Sequence, residues 1–269
     1  IYDWTRNIDH KKIDLRIFHA YRGGAYLKGY EKQYSIDKEY DHADFSHFVA
    51  AYKTFIKGYG APDICIATNW PMMTRACDEV RKELELSEMK IISWLHSPLS
   101  AYEAENLGGI YDLLFADCHF AIYSELRNEI KREDPEAIVY YIGNPINTEN
   151  YEDDIGIDPY MLTYVGRLDT VKNIDIILEA VYRAKGPWKL RIIGDGDIRD
   201  DVRGWIELLK LSSRVEMLGW QEDPWEQCKD SGILVAASDF EGFLLSATEA
   251  GARGKTVIST PVNGVSDYI

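Results

Sequence analysis

Residues 161–197 read MLTYVGRLDTVKNIDIILEAVYRAKGPWKLRIIGDGD. An apolar run, Met161–Val165, stops at a Gly-Arg turn. A helical pattern follows over Asn173–Lys185, and a second apolar run, Lys189–Ile193, stops at the Gly194-Asp195-Gly196 turn. Strand, helix and strand in this order make a βαβ unit, whose two strands lie parallel because the crossover returns the chain to the same end of the sheet.

The same alternation fills the chain. Strands are expected at Ile13–His19, Asp63–Ala67, Lys90–Leu95, His119–Ile122, Ile138–Tyr141, Arg214–Met217, Ile233–Ala236 and Thr256–Ser259. Helices are expected at Ala43–Lys57, Pro71–Leu84, Gly109–Ala116, Glu125–Lys131, Asp197–Leu211, Pro224–Lys229 and Leu245–Arg253. The pattern predicts α/β architecture, mostly parallel sheets and right-handed crossovers. One segment breaks the rhythm: residues 143–160 read GNPINTENYEDDIGIDPY, polar and acidic, with two prolines and no apolar period. It reads as a linker at 144–160 between a first domain, 1–143, and a second, 161–269. Two doubly wound domains facing across a cleft put a ligand at the carboxyl ends of their strands.

Composition narrows the function classes. Of 269 residues, 46% are apolar, enough for a large core, and the net charge is −15, which argues against a nucleic-acid partner. Residues 1–60 carry 10 basic and 8 acidic residues, the remainder 20 and 37. A mildly basic start permits peripheral contact with an anionic inner-membrane face. Cys65, Cys77, Cys118 and Cys228 form no C-x-x-C pair. They read as apolar fillers in a reducing, cytoplasmic setting, with neither a disulfide nor a zinc site. No apolar stretch reaches 18 residues, no signal peptide is seen, and no metal-ligand spacing stands out.

Five strand exits carry candidate chemistry. Ser238-Asp239-Phe240-Glu241-Gly242-Phe243-Leu244 leads from a strand into a helix; Gly242 permits close backbone approach, and the helix start offers free amides and a positive dipole end to an anion. Glu241 precedes that turn and Glu249 follows it inside the helix. Both carboxylates suit sugar hydroxyls, or serve only as acids stabilising a helix start. Gly166-Arg167 and Lys172 flank the turn after Val165, a fork and a point charge suited to a pyrophosphate, or two surface cations answering Asp169 and Asp175. Gly194 and Asp195 form a tight turn with Asp197 as a plausible N-cap, a weak phosphate-loop signal. Trp220-Gln221 could read a base, though a core position suits Trp220 better. In the first domain His96, followed by strand-ending Pro98, closes a strand at its carboxyl end and points into the presumed cleft, where it could hydrogen-bond a sugar hydroxyl or a developing charge, or it has a structural role alone.

Taken together, G-R-L-x-x-x-K, I-I-G-D-G, G-W and S-D-F-E-G-F with a second Glu eight residues after the first resemble the family 4 (group 1) glycosyltransferases of GT-B fold. With Trp94-Leu95-His96-Ser97, Trp188-Lys189-Leu190 and Pro224-Trp225, the chain is similar in particular to the lipopolysaccharide 1,6-galactosyltransferase subgroup. The resemblance implies a retaining, metal-independent hexosyltransferase that uses a UDP-sugar donor and no cofactor, acting on a polysaccharide or lipid-linked glycan. It implies that Arg167 and Lys172 hold the donor diphosphate and that amides around Gly242, Phe243 and Leu244 bind its distal phosphate. Glu241 would meet the transferred sugar, Glu249 the ribose, Gly194, Asp195, Trp220 and Gln221 the base, and His96 would act from the acceptor side. A UDP-sugar 2-epimerase and a non-catalytic nucleotide-sugar-binding subunit share the architecture. Leu244 stands where relatives usually have Pro, and Gly251 where they have Met. A first strand with a glycine-rich loop is expected before Ile1, and further strands after Ile269.

Overall fold

The structure is a computed structural model that describes residues 5, 7–21, 30–35, 42, 44–146 and 157–269. The chain divides into two compact units, 1–121 with 126–141, and 122–125 with 142–269.

The first unit holds a parallel pair, β1 (Ile17–His19) and β2 (Gln33–Ser35), and a four-stranded parallel sheet of β3 (Ile64–Thr68), β4 (Lys90–Trp94), β5 (Cys118–Ala121) and β6 (Val139–Tyr141), in that order. Its helices are α1 (Phe45–Tyr59), α2 (Pro71–Glu83), α3 (Leu99–Ala104), α4 (Ile110–Leu113) and α5 (Ser124–Glu133). Asp44 caps α1, its carboxylate accepting from the Ser46 and His47 amides. Pro71 opens α2, where a missing N–H costs nothing. Tyr52, Phe55 and Ile56 of α1 meet Cys65, Ala67, Cys77, Val80 and Ile91 in one buried cluster, within which the Cys65 and Cys77 thiols are free and 3.5 Å apart.

The second unit is one five-stranded parallel sheet: β7 (Asp158–Val165), β8 (Lys189–Ile193), β9 (Val215–Gly219), β10 (Ser231–Ala236) and β11 (Thr256–Ser259). The strands run in the order β11-β10-β7-β8-β9. Helices α6 (Ile174–Arg183) and α7 (Arg199–Leu208) bury Ile174, Leu178, Val181, Val202 and Ile206 against Tyr164, Leu190 and Ile192. Side chains alternate along a strand, so the neighbouring Ile193, with Leu234 and Ala236, belongs to the other face. That cluster also holds Ala247 and Ala250 of α8 (Leu245–Ala252) with Trp225, Val262 and Val265. Both faces are therefore covered, as a parallel sheet requires. The chain steps from β7 outward to β9, then crosses to the far side of β7 for β10 and β11. Between β7 and β10 the winding reverses, and the crevice outside their carboxyl ends is the ligand position of such sheets.

Several expectations are corrected. The first strand is only three residues long, and β2 and α3 were not foreseen. β4 ends at Trp94; Pro98 instead occupies the N-cap of α3. Helix α7 begins at Arg199 with Ile198 at its N-cap and no side-chain bond there, so Asp197 does not cap it. The Pro224–Lys229 helix is a 3₁₀ turn, Glu226–Cys228. Asp158–Tyr160, read as linker, already pairs in the sheet, and 147–156 lie outside the described residues. Trp220 is 70% exposed and so is no core residue.

Candidate functional site

A pocket of about 290 Å³ opens at the switch between β7 and β10. Its walls are Tyr164, Val165, Gly166 and Arg167 leaving β7, Lys172, Ala236 and Ser238 leaving β10, then Glu241, and Leu244, Leu245 and Ser246 entering α8. Five residues singled out in the sequence thus share one cavity: Gly166, Arg167, Lys172, Glu241 and Leu244.

Lys172 ends a 3₁₀ turn, Thr170–Lys172, capped by Asp169, which accepts from Val171 N–H at 3.1 Å. Lys172 Nζ donates to Glu241 Oε1 at 2.7 Å, and Ser238 Oγ donates to the same oxygen at 2.7 Å. Among the described residues Glu241 Oε2 has no donor. The Lys172 and Glu241 side chains are only 16% and 12% exposed, so this pair is less screened than an ordinary surface ion pair. Arg167 differs. Its side chain is 74% exposed and rests with Nη2 2.6 Å from Asp169 Oδ2.

The loop before α8 is braced from several directions. Asp239 N–H donates to Val171 O at 2.9 Å, and Asn173 Nδ2 donates to Ala237 O at 3.0 Å and Asp239 Oδ1 at 2.7 Å. Asn173 itself adopts φ +49°, a left-handed conformation that asparagine tolerates. Thr260 Oγ1 donates to Ser238 O at 2.6 Å, and Tyr268 OH to Phe243 O at 2.6 Å. Burial pushes the Tyr268 phenol pKa up, as does the charge of Glu241. Leu244, at the N-cap of α8, takes φ +55°, ψ +63°. A left-handed leucine costs about 1–2 kcal/mol. It persists because its side chain, 8% exposed, is held in the core beside Ala247.

Two glycines are required where β8 exits. A Cβ on Gly194, φ +142°, would lie 1.8 Å from Gly166 O, and one on Gly196 2.2 Å from Leu168 O. Gly194 N–H donates to Gly219 O at 2.8 Å and Leu168 N–H to Asp195 O at 2.9 Å, so three strand exits are stitched together. Asp195 turns its carboxylate onto Gly196 N–H and Arg199. Gln221 Nε2 donates to Leu218 O at 2.9 Å. Gly194, Asp195, Trp220, Gln221, Gly242, Phe243 and Glu249 do not line the cavity itself; Phe243 is buried, and Glu249 accepts from Trp225 Nε1 at 3.0 Å.

His96 belongs to the first unit, just past β4. Its Nε2 is 3.0 Å from Thr68 Oγ1, its amide donates to Tyr102 OH at 3.3 Å, and its ring packs 4.8 Å from that of Trp94. Burial lowers its pKa to about 4, so it is neutral at pH 7. Sequence reasoning assigned no role to Tyr164, Ser238, Asn173, Trp225 or Thr68. Tyr164, Ser238 and Trp225 lie within the quoted motifs, but which site residue each would contact depends on neighbours distant in the chain, as it does for Asn173 and Thr68.

The cavity offers a partly buried cation–carboxylate pair, a second cation at its rim and a helix start, a set suited to an anionic ligand bearing hydroxyls. Among the described residues, no helix is long and apolar enough to cross a membrane. Comparison with known proteins agrees with this chemistry. The model of the family "Glycosyl transferases group 1" matches residues 147–269. The chain is 30% identical over 192 residues to the lipopolysaccharide 1,6-galactosyltransferase of Escherichia coli (strain K12), covering 68% of this chain and 52% of that protein. The apo form of the lipopolysaccharide outer core galactosyltransferase WaaB superposes with TM-score 0.76 at 24% identity, over 94% of this chain and 73% of that one. Anabaena Alr3699/HepE in complex with UDP gives 0.67 at 17% identity, over 82% and 65%. These likenesses show a parallel α/β fold of GT-B type. The chain spans about half the length of the curated relatives it matches. Its residues 147–269 belong to the group 1 glycosyl transferases.

Proposed function

We propose that the whole polypeptide transfers a hexose, galactose first among the candidates, from a UDP-sugar to a lipopolysaccharide or other polysaccharide or lipid-linked glycan. Transfer retains the anomeric configuration and needs no metal ion. The observation that carries this reading is the convergence of Arg167, Lys172, Glu241 and the start of α8 on one switch-point pocket. In this reading Lys172 and the fork of Arg167 take the donor diphosphate, with the first amides of α8 on its distal phosphate. Charge grows on the diphosphate as the glycosidic bond breaks, so these groups act most strongly in the transition state and raise turnover as well as affinity. Glu241, balanced by Lys172 at one oxygen, turns the other to the transferred sugar. Glu249 receives the ribose, the loops at Gly194-Asp195 and Trp220-Gln221 border the base, and neutral His96 accepts or donates a hydrogen bond on the acceptor side. The HepE likeness supports the donor class, since that protein was solved with UDP.

The test is a screen of UDP-hexoses with the full-length polypeptide, reading UDP release with and without lipopolysaccharide core acceptor. A polypeptide that neither binds UDP nor releases it with any donor sinks the proposal. Conversion of free donor without acceptor would make it an epimerase. An inverted product anomer, or activity abolished by EDTA, would remove the mechanistic part alone.

A further inference from the structure

Trp225 is held on three sides. Its own N–H and that of Glu226 donate to Asp223 Oδ1 at 3.1 and 3.2 Å. The Arg253 guanidinium lies 4.8 Å from its ring centroid. Its ring, 7% exposed, packs in the cluster of Ile193, Leu234, Leu244 and Ala247. A buried indole N–H requires an acceptor, and here the acceptor is Glu249 Oε2 at 3.0 Å.

Glu249 stands four residues after Leu245, on the stripe of α8 whose first turn walls the pocket. A glutamate has three rotatable side-chain bonds, and ordering them on ligand binding opposes affinity. An acceptor bond from an immobile ring removes that disorder in advance. Packing alone does not explain a tryptophan at this position, since phenylalanine would fill most of the space and keep the contact with Arg253. The indole N–H is what phenylalanine lacks.

From this geometry we infer that Trp225 is a positioning residue. Its N–H presets the Glu249 carboxylate to accept the 2′-hydroxyl of a ribose, and so sets the preference for a ribonucleotide over a deoxyribonucleotide donor. This rests on the donor-binding reading above.

The experiment is calorimetric titration of the full polypeptide, wild type and Trp225→Phe, with UDP and with 2′-deoxy-UDP. The variant should bind UDP about fivefold more weakly and 2′-deoxy-UDP within about twofold of wild type, collapsing the ratio between them. Equal weakening of both ligands would mean that Trp225 only packs, and overturns the inference. Failure of the wild type to bind UDP would overturn the donor reading first. Should Trp225→Phe not fold, indole ¹H–¹⁵N spectra decide: the Trp225 resonance, identified by its shift in Glu249→Gln, should move with UDP and less with 2′-deoxy-UDP. An indole resonance indifferent to UDP refutes the positioning role.

Discussion

Lys172 and Glu241, separated by 69 residues, meet at 2.7 Å between the carboxyl ends of β7 and β10. Each is more than four-fifths buried, so neither charge is well compensated by solvent. Lys172→Met should cost about 2–3 kcal/mol in denaturant unfolding, because it strands a carboxylate whose one remaining donor is Ser238. In the proposed enzyme, UDP release should also fall by about a hundredfold or more, with kcat affected as well as KM. Unchanged stability would show that the pair is far more solvated than its burial implies.

Gly194 and Gly196 at the β8 exit should tolerate no side chain. Gly194→Ala places a methyl group 1.8 Å from Gly166 O, and Gly196→Ala one 2.2 Å from Leu168 O. Either should destabilise by about 3 kcal/mol, since backbone rather than a flexible side chain must move. Gly204→Ala, in α7 with open space around it, is the control and should be neutral to stabilising. Thermal unfolding of the three variants checks the contrast.

Leu244 sets backbone strain against burial. Leu244→Ala keeps the left-handed strain and loses about 2–5 kcal/mol of core packing. Leu244→Gly loses the same side chain but relieves about 1 kcal/mol of strain. The glycine variant should therefore be at least as stable as the alanine one, the reverse of the usual order at a helical position. Urea midpoints measured side by side decide it.

Acid should weaken the first unit before its carboxylates titrate. Burial holds His119 at a pKa of about 4, against 6.5 in a solvated histidine, and His96 likewise. The unfolded chain thus binds more protons than the folded one between these values. Stability should be full above about pH 6.5 and fall progressively towards pH 4. His119→Asn, which can still meet Ser93 Oγ, should flatten that slope. A slope unchanged by the substitution would place the acid sensitivity elsewhere.

Much of this was legible along the chain. Lys189–Ile193 and Thr256–Ser259 are strands at their expected bounds, and α6 differs from its expected span by a residue or two at each end. Apolar periodicity and glycine stops are local properties, and local sterics decide them. Ends were less legible where a side chain had a choice. Asp197 could have capped α7 but the helix starts later, and Trp220 faces outward despite its apolar ring. The left-handed turn before α8 fell on Leu244 rather than a glycine, which no propensity would suggest. Tertiary contacts at Phe243 and Tyr268 hold it there.

The sequence by itself determined the alternation of strands and helices, the glycine turns at their exits, and which cations and acids could serve a sugar diphosphate. Only the tertiary structure decided that β10 crosses to the far side of β7, which opens the crevice where Arg167, Lys172, Glu241 and Leu244 share one cavity. Strand order follows from which crossovers bury both apolar faces of the sheet, a balance struck among residues tens of positions apart. No local pattern contains it, and for the same reason none could pair the indole of Trp225 with the carboxylate of Glu249.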